Sequence, residues 1–198
     1  NFFLFSVVAI ALLFYLFPAL VFVATESTKV VSLQLSVFRW IYKRSIYTKI
    51  ATGIVVFFTI YLLFFVFQLW YADTIFNKGQ NASQLGNPGR AYNLLSAAAD
   101  LNSGEPFFRS ELAFAAASAA SALQETDATL SAALKNEAVS QMEVVLRQNP
   151  KNVSYWRTAV RTYFELSSLD KIYTDKTLAA LEQAIQLAPT DPKLYYNK

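Results

Sequence analysis

Residues 50–70 contain no charged side chain and no proline. As a helix, at about 1.5 Å per residue, this run measures roughly 31 Å, the thickness of the hydrocarbon core of a bilayer. The run is rich in Phe, Ile and Val, residues that are mediocre helix formers in water. In lipid the backbone has no water to bond to, so a spanning segment of this kind must satisfy itself internally as a helix. Trp70 and Tyr71 close the run with amphipathic rings of the type enriched at the membrane interface. The chain therefore divides near residue 71 into a membrane region, 1–71, and a polar region, 72–198.

Within the membrane region, residues 2–24 form a second uncharged run, with Pro18 near its far end. It is too long for a signal-peptide core and lacks the basic flank of one, so it reads as a transmembrane helix. Residues 25–49 connect the two runs and carry Lys29, Arg39, Lys43, Arg44 and Lys49 against the single acid Glu26. A short loop with that bias faces the cytoplasm, and Lys43-Arg44 serve that topology. The alternation of apolar residues with Gln34 and Arg39, and the rings of Trp40 and Tyr42, suit the lipid headgroup layer. With the loop inside, the 50–70 span runs outward and the polar region is extracytoplasmic.

Composition narrows the chemistry. The chain has no Cys and no His, which removes thiolate nucleophiles, zinc-thiolate sites and the usual neutral-pH base, and no metal or cofactor is expected. Its net charge of +3 belongs to the membrane half: residues 1–70 hold five basic residues and one acid, +4, leaving twelve basic and thirteen acidic residues, −1, for the rest. A nucleic-acid surface would need a basic stripe on the polar region, and none is present. Glu111, Glu137, Glu143 and Glu165 read as solvated helix faces rather than acid/base catalysts. The Asn81-Ala82-Ser83 and Asn152-Val153-Ser154 triplets match the glycosylation acceptor pattern by chance.

The polar region reads as all-α. Helical spacing and turn signals place helices at 49–85, 90–101, 107–123, 128–148 (capped by Asp127), 153–166 and 177–187, with a further start at Pro192. Arg157 and Arg161, four apart on one helix, are candidates for a shared carboxylate or phosphate contact.

The pair covering 153–189 resembles the tetratricopeptide repeat. Trp156, Ala159, Val160 and Tyr163 occupy the large, small, small and aromatic positions of the first helix, and Leu181, Ala184 and Pro189 those of the second helix and its terminal proline. Thr177 stands where the family has Ala. The pattern makes physical sense, because the small members at i+3 and i+4 let a partner helix approach closely. Gly79, Ala91, Leu95 and Ala98 fit the template more weakly, as do Leu112, Ala113, Ala138, Met142 and Pro150, with Arg109 at an aromatic position. A fourth unit begins at Pro192, with Tyr195 in its aromatic slot. The resemblance implies an α-solenoid whose groove turns Arg157 and Arg161 toward a ligand.

The order of parts resembles the C-terminal end of bacterial O-antigen ligase-like proteins: Tyr15-Leu16-Phe17-Pro18-Ala19-Leu20 in a closing span, a basic inner loop, then an outward span feeding the repeats. That resemblance implies a non-catalytic C-terminal piece of a multi-pass protein of the bacterial cytoplasmic membrane, its repeats periplasmic and its reacting groups upstream. The expected partners are membrane lipid, a protein or glycan-assembly partner in the repeat groove, and lipid-linked glycan through the upstream part. A membrane-anchored repeat scaffold without chemistry, and the repeat tail of another polytopic glycosyltransferase, are the alternatives.

Overall fold

A computed structural model describes residues 46–195, the side chains of Tyr47, Thr48 and Ala51 excepted. The span at 2–24, nearly all of the basic loop, and residues 196–198 lie outside the described residues. Seven helices and no strand are found among the described residues: α1 (Ile46–Gln84), α2 (Pro88–Leu101), α3 (Pro106–Leu123), α4 (Ala128–Gln148), α5 (Val153–Ser167), α6 (Ile172–Leu187) and α7 (Pro192–Tyr195). The chain divides into two units, one ending at Leu62 and the other beginning at Leu63.

The described part of the first unit is the leading section of α1. Its large apolar side chains are exposed: Ile54 is 59% exposed, Phe57 70% and Ile60 61%. The Thr59 hydroxyl donates to Val55 O one turn back at 2.9 Å, so this polar side chain is satisfied within the helix itself. Among the described residues, α1 is the one helix long and apolar enough to cross a membrane.

The second unit holds the later part of α1 and all other helices. At Ala72 and Phe76 the exposure of α1 gives way to burial. Phe76 stacks on Phe108 of α3, with ring centroids 4.3 Å apart, and lies 5.2 Å from Phe107. At Gly79 α1 and α2 lie close together: a Cβ there would sit 2.8 Å from Leu95 Cγ. Gln68 Nε2 donates to Leu101 O, a free carbonyl at the end of α2, at 3.0 Å.

Each boundary has a chemical cause. α1 ends in a Schellman turn: Gly86 takes φ +70°, its N–H donates to Ser83 O, and Asn87 N donates to Ala82 O. Only Gly enters that conformation without steric cost. Asn87, Glu105, Asp127 and Asn152 each accept a backbone N–H at the start of α2, α3, α4 and α5. Pro88 and Pro106 sit in first turns, where the missing N–H costs nothing. α6 begins at Ile172, five residues before the start the sequence pattern gives at 177. Asp170 Oδ1 accepts from Ile172 N, and Tyr173 is buried with its ring stacked 6.3 Å from Tyr163, so tertiary packing extends the helix through a segment with no helical hydrophobic repeat of its own.

α3 packs on α2, α4 and α5, and α5 packs on α3, α4 and α6. The central core joins Ala113, Ala116 and Ala117 of α3 to Met142 of α4, Ala159, Tyr163 and Leu166 of α5, and Ala180 of α6. Alanines on α3 bring three helices close, and the larger residues of α4 and α5 fill the space between them. Buried hydroxyls are satisfied: Ser131 Oγ donates to Ala120 O at 2.7 Å, tying α4 to α3, and Thr162 Oγ1 to Thr158 O at 2.8 Å.

Candidate functional site: a groove between α1, α3 and α5

A groove of about 440 Å³ opens where the α1–α2 turn meets α3 and α5. Ser83 and Gly86 form one side, Phe114, Ser118 and Ser121 of α3 form the base, and Glu165 of α5 the other side. The fold places them for simple reasons. The buried alanines of α3 face the core, and this turns residues 114, 118 and 121, spaced by three and four, outward along one stripe. Ser121 Oγ donates to Glu165 O at 3.3 Å, fixing α3 against α5 at one end.

Beside the groove a polar joint ties three helices. The Arg161 guanidinium lies 4.0 Å over the Phe114 ring and 3.8 Å from Glu111 Oε1. Burial pushes the Glu111 carboxyl above its ordinary pKa, against the opposing pull of Arg161 and of a hydrogen bond from Gln80 on α1. Elsewhere, Tyr163 is pushed up to about 12 by burial and the nearby Glu143 and Tyr173. Tyr92 is also pushed up to about 12, by burial and by donating to Glu137 Oε2 at 2.7 Å.

The residues singled out from sequence fall in different settings. Ala159, Tyr163, Leu181 and Ala184 are buried, while Val160 is half-buried. Trp156 is also half-buried: its ring packs where the α5–α6 core meets that of α6 and α7, and Nε1 donates to Pro150 O at 2.8 Å. Pro189 is exposed, and its carbonyl accepts from Tyr195. Arg157 and Arg161 do not converge on one anion. Arg157 forms an ion pair with Asp191 at the start of α7, whereas Arg161 faces Glu111 of α3. The spacing of four fixes their side of the helix, but the acids they meet come from α3 and α7, which local sequence does not reveal.

Trp156→Phe keeps most of the ring's packing and deletes the bond to Pro150 O. It should lower stability by about 1 kcal/mol, read as a small drop in the melting temperature of the full chain in detergent. A loss above about 3 kcal/mol, the range for truncating a fully buried aromatic, would contradict the half-buried setting.

Sequence reading passed over the groove. Phe114, alone among alanines on α3, is the one local signal of it; Ser118 and Glu165 look like ordinary surface until α3 and α5 are side by side. Among the described residues no group of three or more acidic side chains is arranged to hold a metal. Glu165, Ser83, Ser118, Ser121 and Phe114 thus give the groove a lining of one acidic residue, three hydroxyl-bearing residues and one aromatic residue. Comparison with family models, with curated proteins and with solved structures found no match.

Proposed function

We propose that the chain is a membrane-anchored docking module of tetratricopeptide type, the non-catalytic C-terminal part of an O-antigen ligase-like protein that acts in transferring or polymerising cell-surface glycan. Its helical pairs stand on the outer face of a bacterial cytoplasmic membrane, and spans at 2–24 and 50–70 anchor them. The observation that carries this reading is α1 itself. It is apolar and exposed through residues 54–67, then buried against α2 and α3 from Ala72 and Phe76 onward. A helix with that division serves as lipid-facing anchor in one part and as a member of a folded domain in the other.

The packing order supports the repeat part. α3 pairs with α4 and α5 with α6, and the leading helices α3 and α5 also pack on each other, as stacked helical pairs do. The groove at α3 and α5 supports docking.

Deleting residues 72–198 from the full protein in its native cell tests the reading. Membrane insertion should persist, while the chain-length distribution or the amount of surface glycan changes on a gel of the extracted polymer. A glycan profile identical to that of the parent strain would contradict the glycan assignment.

A further inference from the structure

We infer that the groove between α1, α3 and α5 receives a basic side chain, lysine or arginine, carried by an extended segment of a partner protein, with the Glu165 carboxylate as counter-charge. The inference rests on the docking reading above and names its chemistry.

Charge is the first support. Glu165 lines the groove, and its structural bonds are all made by its backbone: its carbonyl accepts from Ser121 Oγ and Ser168 Oγ. Among the described residues no cation pairs with its side chain. Arg161, one turn earlier and the natural i,i+4 partner, is held instead by Glu111 and the Phe114 ring. The start of α2, which also borders the groove, has fewer donors to offer a competing anion than most helix starts, because Pro88 has no N–H and Arg90 N already donates to Asn87 Oδ1. Counting Glu111 and Arg161 as a neutral pair, the site carries one uncompensated negative charge.

Shape and lining are the second support. A volume of about 440 Å³ is large enough for one long side chain and the backbone that carries it. Phe114 and Ala122 offer apolar surface along which a methylene stem can lie. The hydroxyls of Ser83 and Ser118, which have no side-chain partner among the described residues, can accept from an ammonium or guanidinium group. A sugar is a poorer match. It would stack on an open ring face, and one face of Phe114 is covered by Arg161.

The test uses the full chain in detergent and three probes followed by NMR titration: acetyl-Ala-Lys-Ala-amide, its norleucine analogue, and maltotriose. The lysine peptide should bind about tenfold more tightly than the norleucine peptide, and Glu165→Gln should weaken it about tenfold, the scale of one charge-assisted hydrogen bond. Glu125→Gln, in the exposed α3–α4 turn, should change nothing. Equal binding of the lysine and norleucine peptides, or of the lysine peptide to parent and Glu165→Gln chains, would overturn the inference. Binding of maltotriose in preference to both peptides would do the same. If Glu165→Gln melts early, Ser118→Leu, which fills the groove and leaves the carboxylate, should give the same tenfold loss, and its failure to do so would count equally against the site. A photoreactive residue at position 118 in native membranes separates this inference from the docking reading. A protein adduct that persists in the Glu165→Gln chain removes the basic-side-chain assignment and keeps docking, whereas no adduct from the parent chain removes docking as well.

Discussion

Aspartate at both Ile60 and Phe64 should stop the 50–70 segment from inserting. Each replacement puts a charge near the middle of the apolar run, which costs about 2.5 to 3.5 kcal/mol on insertion scales and removes an apolar gain of about 0.3 to 0.6 kcal/mol. Two of them together cost about 6 to 8 kcal/mol, comparable to the whole favourable term from about fourteen apolar residues on the same scale. Both positions are more than 60% exposed, so no neighbour among the described residues shelters the charges. Protease shaving of spheroplasts should show the helical domain moving from the accessible to the protected fraction. An unchanged accessible fraction would mean that residues 50–70 are not the segment that carries the domain across.

Leu166→Ala should give the largest stability loss of any single truncation considered. Leu166 is fully buried at the centre of the core shared by α3, α4, α5 and α6. Removing its side chain leaves a cavity among residues that cannot all collapse onto it, at a cost of about 2 to 5 kcal/mol. That is a large share of the roughly 5 to 15 kcal/mol that holds an ordinary domain together. Phe164, two residues away on the same helix, is 69% exposed, and Phe164→Ala should change stability by less than about 0.5 kcal/mol. Thermal melts of the full chain in detergent, followed by circular dichroism, check both. Similar shifts for the two variants would contradict the placement of the α5 core face.

Much of this helix order was legible in the sequence because its signals are local. The apolar run, the Gly86 turn, Pro106 and the Asp127 cap each act within a few residues of themselves, and the ends of α2, α3, α4 and α5 fall within two residues of where those signals put them. The start of α6 was not legible. It depends on Tyr173 finding Tyr163 on another helix, a contact with no trace in the local hydrophobic period. The site was less legible still. The stripe of 156, 159, 160 and 163 could be read from spacing alone, but the partners of Arg157 and Arg161 come from α7 and α3. Glu165 belongs to a site only because small residues let α3 and α5 lie close enough to enclose it.

The proposed function puts the helical domain on the outer side of the membrane, and single cysteines can report its side because the 198-residue sequence has none of its own. Ser140, exposed on α4, and Ser45, in the basic loop, are suitable positions. Treated with a membrane-impermeant maleimide on intact spheroplasts, Ser140→Cys should be labelled, and Ser45→Cys should be labelled only after detergent opens the membrane. Labelling of Ser45→Cys on intact spheroplasts with protection of Ser140→Cys would place the domain in the cytoplasm and contradict the proposed function.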